Sequence, residues 1–216
     1  VDPRGLVRRL VAQMRSDGAD LVQGRARDIG SSSDRLDIVL DDGRKLAADR
    51  VVLAAGAWSR PLAAKLGAAI PLETQRGYHL HLRAPRIDLP LPVSFAEGKF
   101  YATPMSDGLR LAGTVEFAGL RAAPDYRRAH RLAEMAGRWL PGLGLDGASE
   151  WMGHRPCLPD SLPVIGPSPR DPRVLLAFGH GHNGMTSAPA TGRLVADMVA
   201  GRRPFIDPSP YRPDRF

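Results

Sequence analysis

Four segments of the chain repeat apolar residues with the period of a helix. The first is predicted between a capping Asp2 and a terminating Gly18, and the others cover 59–66, 124–140 and 186–199. The apolar positions of the first helix are Leu6, Val7, Leu10, Val11 and Met14. The buried face predicted for the helix at 124–140 comprises Tyr126, His130, Leu132, Ala133, Ala136 and Trp139. Pro189 is expected to fall in the first turn of the last helix, where proline is tolerated.

Shorter segments, either alternating or continuously apolar, predict strands. They are 20–29, 36–40, 44–46, 51–55, 78–82, 95–104, 109–117 and 174–178. Asp42-Gly43 predicts a hairpin turn, and Ser106-Asp107-Gly108 predicts another between 95–104 and 109–117. The middle third of the chain is therefore expected to form a mixed, largely antiparallel sheet.

The segment 51–59 reads Val-Val-Leu-Ala-Ala-Gly-Ala-Trp-Ser, an apolar strand that runs into very small residues. A continuous apolar run predicts a strand buried on both faces. Small residues at its end allow a ligand to approach the backbone closely.

The bulk composition is that of an ordinary globular chain, with 216 residues, 43% hydrophobic residues and a net charge of +7. The arginines are scattered, only three lysines occur, and no basic run reaches five residues. We therefore expect no nucleic-acid partner. The single cysteine, Cys157, rules out an intrachain disulfide and fits a reducing compartment. The first residue is not methionine, so we expect the chain to be a piece of a longer protein.

Two motifs lie close together in the last third of the chain. The first, at 153–166, reads Gly-His-Arg-Pro-Cys-Leu-Pro-Asp-Ser-Leu-Pro-Val-Ile-Gly. The second, at 179–186, reads Gly-His-Gly-His-Asn-Gly-Met-Thr and joins the strand at 174–178 to the last helix. Residues 179–184 fit G-x-G-x-x-G, but no second strand with an acidic end follows, so a nicotinamide enzyme is the weaker interpretation. The glycines and the helix N-terminus would still bring backbone N–H groups to an electron-rich ligand.

The motifs together resemble the superfamily of FAD-dependent D-amino-acid oxidases and dehydrogenases, which includes glycine and sarcosine oxidases. The resemblance rests on five segments in order: 51–59, 76–78, 110–117, 153–166 and 179–192. It covers the chain as the C-terminal portion of such an enzyme, without the N-terminal dinucleotide-binding unit. The implied fold class is α/β and α+β. Residues 1–75 and 150–216 would form a partial FAD-binding, Rossmann-like domain, and 76–149 a substrate domain with a mixed, largely antiparallel sheet.

The resemblance also implies site residues. Arg155 would pair with the substrate carboxylate, with His182 and Tyr101 beside the substrate and Tyr78 as a further pocket wall. Planar guanidinium suits carboxylate recognition. The residues implied to contact FAD are Ala26, Ala55, Gly56, Trp58, His180, Gly181, His182, Asn183, Gly184, Met185 and Thr186.

The implied reaction is oxidation of the C–N bond of an amino acid to an imine by hydride transfer to flavin. The residues leave open D-amino acids, glycine or sarcosine, and cyclic imino acids, and oxygen or a quinone as the electron acceptor. The implied partners are the amino-acid substrate and the missing N-terminal half or a complementary chain, without which we expect no tight FAD binding. The implied location is the cytoplasm, with the inner face of the membrane as a contact. The alternative is a non-catalytic subunit or small-acid binding module with the same fold.

Histidine pairs raise the question of a metal. His79 and His81 would share one face of a strand, and His180 and His182 flank a glycine. No CxxC, HExxH or carboxylate cluster completes either pair, so we expect no metal site.

Overall fold

The computed structural model describes residues 2–216, which form four α-helices, twelve strands and short 3-10 turns. The helices are α1 (Pro3–Ser16), α2 (Ser59–Lys65), α3 (Arg127–Gly137) and α4 (Gly184–Val199). The strands are β1 (Ala26–Ser31), β2 (Leu36–Leu40), β3 (Lys45–Ala48), β4 (Val51–Leu53), β5 (Glu73–Leu82), β6 (Val93–Phe95), β7 (Phe100–Met105), β8 (Gly108–Ala112), β9 (Glu116–Phe117), β10 (Ser149–Cys157), β11 (Val164–Pro167) and β12 (Val174–Phe178). These residues divide into two compact units. Unit I comprises 2–5 with Thr74–His154, and unit II comprises Leu6–Glu73 with Arg155–Phe216.

Unit II is built from two three-stranded sheets. The strands β1, β2 and β3 form an antiparallel meander, in which Asp42-Gly43 makes the predicted hairpin turn and Gly43 takes a φ of +86°. The second sheet has the order β11-β12-β4, with β11 antiparallel and β4 parallel to β12. One face of that sheet packs into a core with α2, and the other packs against α4. The sheet is therefore a central layer between helices, as in other α/β folds.

The helix α1 begins and ends as predicted, but it buries none of its side chains. The Asp2 carboxylate accepts a hydrogen bond from the backbone N–H of Arg4 at 3.0 Å, which satisfies one donor of the first turn. Leu6, Val7 and Leu10 remain exposed on the predicted apolar face. The strand predicted at 20–29 is wrong in its first half, because 19–25 are exposed and β1 begins only at Ala26.

The strand β4 is shorter and less buried than its apolar sequence predicts. It ends at Leu53 and lies at the end of its sheet, so its outer side has no strand beside it among residues 2–216. Val52 points to the sheet face opposite that of Val51 and Leu53 and is 41% exposed there, so the prediction of burial on both faces is wrong. The apolar run reflects a strand that the described residues cover on one side only.

Unit I centres on a sheet with the order β10-β5-β8-β7-β6, to which β9 adds beside β5. The hairpin of β7 and β8 is antiparallel and closes at Met105 opposite Gly108, as predicted. The strand predicted at 95–104 is interrupted, because 96–99 form a turn between β6 and β7. A mixed α/β fold with mostly antiparallel sheets is thus confirmed.

The helix α3 covers one face of the unit I sheet. Its buried residues follow the i, i+3, i+4, i+7 pattern of a single stripe: Ala129, Leu132, Ala133 and Ala136. The predicted burial of Tyr126, His130 and Trp139 is wrong, since all three are exposed. The helix starts three residues later than predicted, and the stripe centred on alanine brings it close to the sheet.

The helix α4 follows β12, whose bounds match the prediction. Because α4 begins at Gly184, Pro189 lies in its second turn rather than its first, where proline removes one helical hydrogen bond. Among residues 2–216, no helix combines the length and the apolar content needed to cross a membrane.

Candidate functional site

The parallel pairing of β4 and β12 places the ends of both strands at the same edge of the unit II sheet. Leu53 pairs with Leu176 in this register, so the chain leaves both strands within a few residues of that edge. The segments that follow are 54–58 and 179–183, which are the two predicted to contact a cofactor. In open α/β sheets, ligands bind at the carboxyl ends of parallel strands.

The turn between β12 and α4 depends on glycines. Gly179 has a φ of +88°, and a Cβ there would lie 2.5 Å from Cδ1 of the buried Leu158. Gly181 has a φ of +54°, and its backbone N–H donates a 2.8 Å hydrogen bond to the carbonyl of Pro156. This bond joins the turn to β10, so the two sequence motifs of the last third meet in the fold.

The contact between the motifs places Arg155 near His182. Arg155 is half-buried, and burial lowers the pKa of its guanidinium. Desolvation, followed by the charge of Arg155, lowers the pKa of His182, so that imidazole is neutral at pH 7. The arrangement presents one fixed positive charge beside a neutral imidazole.

His180 points into unit II and is held there. Its Nε2 lies 2.9 Å from Oγ1 of Thr191 on α4, and burial lowers the pKa of the imidazole. Both residues line a cavity of about 240 Å³, together with Asn183, Ser187 and the segment around Leu162. Thr191 was not predicted, because a single threonine within a helical segment does not stand out in the sequence.

The first turn of α4 presents unused donors. The backbone N–H groups of Gly184, Met185 and Thr186 have no acceptor among residues 2–216, whereas that of Ser187 bonds to the carbonyl of Asn183. Met185 and Thr186 are exposed. The N-terminus of a helix attracts negative charge through such donors and through its dipole.

The segment after β4 is open at its backbone. Gly56 has a φ of +56°, and a Cβ placed there would meet no atom within 4 Å. Ala55 is exposed and Trp58 is 51% exposed. Next to them the hydroxyl of Ser59 is fully buried without a hydrogen-bond partner among the described residues, a position that the sequence did not single out.

The remaining predicted residues lie elsewhere. Ala26 begins β1, where its side chain packs partly buried against the unit II core. Tyr101 lies on β7 of unit I and is 56% exposed. Tyr78, expected to be a pocket wall, is instead only 1% exposed, and its hydroxyl is bonded to Arg76, Glu116 and the backbone of Asp125. That expectation is wrong because β5 turns Tyr78 toward the core.

No group of three or more His, Cys, Asp or Glu side chains within residues 2–216 is placed to hold a metal ion. His79 stacks on Trp151, and His81 lies 3.4 Å from Asp107.

A glycine-rich turn that leads from a parallel strand into a helix, at the carboxyl edge of a sheet, is the arrangement at which α/β folds bind cofactors. The chain belongs to the family of FAD dependent oxidoreductases (DAO), whose model matches residues 1–198. The chain is 38% identical to a D-amino-acid oxidase of Bradyrhizobium diazoefficiens, across 100% of this chain and 52% of that protein. It is 40% identical to a glycine oxidase of Pseudomonas putida, across 78% of this chain and 46% of that protein.

A solved structure shows the same architecture. The glycine oxidase of Geobacillus kaustophilus superposes with a TM-score of 0.82 at 30% identity, covering 94% of this chain and 55% of that one. The chain thus spans about half the length of the relatives that it matches. Family members use FAD, and the open donors of α4 and the uncovered backbone at Gly56 fit an electron-rich cofactor edge.

Proposed function

We propose that the chain is a portion of an FAD-dependent enzyme that oxidises the C–N bond of an amino acid to an imine. The candidate substrates are D-amino acids, glycine or sarcosine, and cyclic imino acids. The observation that carries the proposal is the hydrogen bond from Gly181 to Pro156, which brings Arg155 beside the glycine-rich turn. A carboxylate-binding group and a cofactor-binding segment are thereby joined in one unit.

Arg155 would bind the substrate carboxylate. Its half-burial raises the strength of an ion pair, because the surrounding dielectric is lower than that of water. Its guanidinium can donate two parallel hydrogen bonds to one carboxylate, which fixes orientation as well as position. A neutral His182 beside it adds no competing charge and is able to accept or donate one hydrogen bond.

FAD, when bound, would supply the acceptor of the two electrons. The residues that would hold it are Ala55, Gly56 and Trp58 after β4, the run His180–Thr186, and the backbone of Ala26. The N–H groups of Gly184, Met185 and Thr186 would stabilise negative charge at the edge that they face. The chain need supply no general base if the amine enters neutral.

The proposed partner is the part of a family-length protein that this chain does not match, on the same chain or a complementary one. Its support is apolar surface that unit II leaves exposed. Leu6, Val7 and Leu10 of α1 and Val52 of β4 are each 38–58% exposed, and the outer side of β4 has no strand beside it among the described residues. Apolar surface and an open strand edge together favour burial by a further segment. A cytoplasmic location with contact to the inner face of the membrane is part of the same proposal.

The test is reconstitution. The chain is mixed with FAD and with the segment of the B. diazoefficiens oxidase that it does not match, and D-alanine, glycine, sarcosine and D-proline are added without oxygen. We expect at least one of them to bleach the visible flavin absorption and to yield ammonia or an amine with a 2-oxo acid. Bound flavin that none of a broad amino-acid panel bleaches would instead support the non-catalytic binding module.

Arg155→Lys separates the substrate role from a structural one. Lysine keeps the charge but loses the paired donors, so KM should rise about tenfold to a hundredfold while the flavin absorption is retained. Arg170→Lys is the matched control, because Arg170 is exposed in the same unit and bonds only to backbone carbonyl oxygen of Lys65 through its side chain. An unchanged KM in Arg155→Lys would show that this residue does not bind the carboxylate.

A further inference from the structure

The cavity of about 240 Å³ in unit II lies between segments that are distant in the sequence. Its walls are the turn at 161–163, the N-terminal half of α4 and the tail at 206–211. Ile165 and Leu194 also line it, and both belong to the core and are at most 3% exposed. The cavity therefore reaches from the exposed turn down to the hydrophobic core.

The turn that carries Ser161 and Leu162 forms a fixed wall. Ser161 has a φ of +61°, which residues other than glycine rarely adopt. The guanidinium of Arg215 donates to the carbonyl of Leu162 at 2.8 Å and to the carboxylate of Asp160 at 2.7 Å. A left-handed residue persists where the surrounding contacts determine its conformation. This wall is therefore preformed.

The lining offers hydrogen-bonding groups without charge. Among residues 2–216, no Asp, Glu, Lys or Arg side chain lines the cavity. Burial lowers the pKa of His180, so its imidazole is neutral at pH 7. An ionic ligand would lose hydration in this cavity without gaining an opposite charge. Carboxylate, phosphate and ammonium groups are therefore disfavoured.

Two hydroxyl groups of the lining, those of Ser187 and Thr191, lie one helical turn apart on α4. The Ser187 hydroxyl donates its proton to the carbonyl of Asn183 at 2.8 Å, so its oxygen can only accept from a ligand. Nε2 of His180 lies 2.9 Å from Oγ1 of Thr191. Whichever of the two donates, the threonine oxygen keeps at least one lone pair. The two hydroxyl groups therefore favour a ligand that donates a hydrogen bond.

We infer that this cavity binds a small uncharged ring with a hydroxyl group, which donates to Ser187 or Thr191 while the ring contacts the apolar lining. Leu162, Ile206 and Tyr211 supply apolar surface beside the core residues. Pockets of this kind, mostly apolar with a few polar groups, bind small molecules. A rigid ring fits better than a flexible chain, because it loses less conformational freedom on binding.

The inference goes beyond the proposed function. It concerns the lining of this cavity, whereas the proposed function depends on Arg155 and on the backbone N–H groups of 184–186. Either can therefore fail without the other.

The test uses the 216-residue chain with three probes: phenol, benzene, which lacks the hydroxyl, and benzoate, which carries a charge. A phenolic hydroxyl keeps its proton at pH 7, since its pKa is about 10. Binding is followed by NMR through the ring resonances of His180 and the methyl group of Thr191. We expect saturable shifts with phenol, about tenfold weaker binding of benzene and no shifts with benzoate. Benzene or benzoate that binds as tightly as phenol would overturn the inference.

Ala190→Leu places a larger side chain in the cavity from an exposed position on α4, and it should abolish the phenol shifts. Ala196→Leu is the matched control, because it makes the same change at an exposed position of α4 outside the lining, and it should leave phenol binding unchanged. Equal phenol binding in these two variants would overturn the inference. Unchanged amide spectra away from the cavity would show that Ala190→Leu is folded.

Thr191→Val tests the hydrogen bond separately from the space. Valine keeps the shape of the side chain and removes the hydroxyl, so phenol should bind about fivefold more weakly while benzene binding stays the same. Thr103→Val, the same change on β7 of unit I, should alter neither. Equal weakening of phenol and benzene in Thr191→Val would show that this hydroxyl does not bind the ligand.

Discussion

The two units each contain an arginine removed from water, and the two arginines have opposite surroundings. In unit I, Arg76 is fully buried, and its guanidinium donates to the carbonyls of Ala122 and Ala123 and to the Tyr78 hydroxyl at 2.8–3.0 Å. Its Nε lies 3.2 Å from the Glu116 carboxylate, without the alignment of a hydrogen bond. In unit II, Arg155 is half-buried beside a glycine turn, and burial lowers its pKa.

The difference supports a structural role for Arg76 and favours the ligand-binding role that we propose for Arg155. The donors of Arg76 are used within the protein, which ties the segment at 122–125 to β5 and leaves little for a ligand. The environment of Arg155 disfavours its charge, so an anion that pairs with it would relieve a cost that the fold already carries. Both arginines lie in segments that resemble the family, and the proposed difference in their roles rests on their surroundings.

The largest expected effect is on Arg76. Arg76→Met leaves the carbonyls of Ala122 and Ala123 without their donor and removes one of the two cations beside the Glu116 carboxylate, and it should lower the free energy of unfolding by about 3–5 kcal/mol. Arg128→Met is the control, because Arg128 contacts the same carboxylate with a side chain that is 41% exposed and should cost about 1 kcal/mol or less. Denaturant unfolding measures both. Equal losses would mean that burial does not distinguish the two arginines.

The turn beside Arg155 comes next. Gly179→Ala combines a φ of +88° with a clash against buried Leu158, and should cost about 2–4 kcal/mol. Gly18→Ala has a nearly equal φ of +90° with no atom within 4 Å, so it should cost about 1 kcal/mol from the backbone alone. Unfolding curves of the two variants give the difference. A cost at Gly179 no larger than at Gly18 would show that the turn is not packed against the core.

Asp171 in unit II provides the corresponding test for a carboxylate that is paired within the protein. Hydrogen bonds from Arg173, then from Ser31, lower the pKa of Asp171 below its usual range. A lowered folded-state pKa stabilises the protein above the unfolded value of about 4, and this stability is lost as pH falls toward the folded value. Asp171→Asn should therefore cost about 2 kcal/mol at pH 7. The difference in the free energy of unfolding between the variant and the original protein should become smaller below about pH 4. A difference in the free energy of unfolding that does not change with pH would show that these hydrogen bonds do not lower the pKa of Asp171.

The smallest expected effect is a titration. NMR should give His79 a pKa of about 4, and the pKa should rise in Arg110→Gln because the second-largest cause of its depression is removed. Burial, the largest cause, remains, so the rise should be partial. A His79 pKa near 6.5 in the original chain would show that the imidazole is not desolvated against Trp151.

Local pattern predicted much of this fold. The bounds of β12, the end of α1 and the hairpins at Gly43 and Gly108 follow from period and turn chemistry alone, because they depend on neighbours in sequence. The exposure of α1 and Val52 could not be predicted. An apolar face indicates that it is buried, but it does not indicate which segment buries it. The alternation at 78–82, by contrast, placed Tyr78 on the same strand face as Leu80 and Leu82, and all three residues are buried.

The candidate site, too, could be predicted from the sequence only in part. The motifs at 153–166 and 179–186 identified Arg155 and the glycine turn, but their contact through Pro156 and Gly181 is a property of the folded chain. Ser59 and Thr191 were identified only from the folded structure, Ser59 by the burial of its hydroxyl and Thr191 by its contact with His180.

The central claim is that the strand-end edge of unit II forms part of a flavin site. The most direct measurement is the visible absorption of the chain after gel filtration with FAD, first alone and then mixed with the unmatched segment of the B. diazoefficiens oxidase. We predict flavin absorption that co-elutes with the protein in the mixture and little or none with the chain alone. A folded, associated mixture that retains no flavin would contradict the claim.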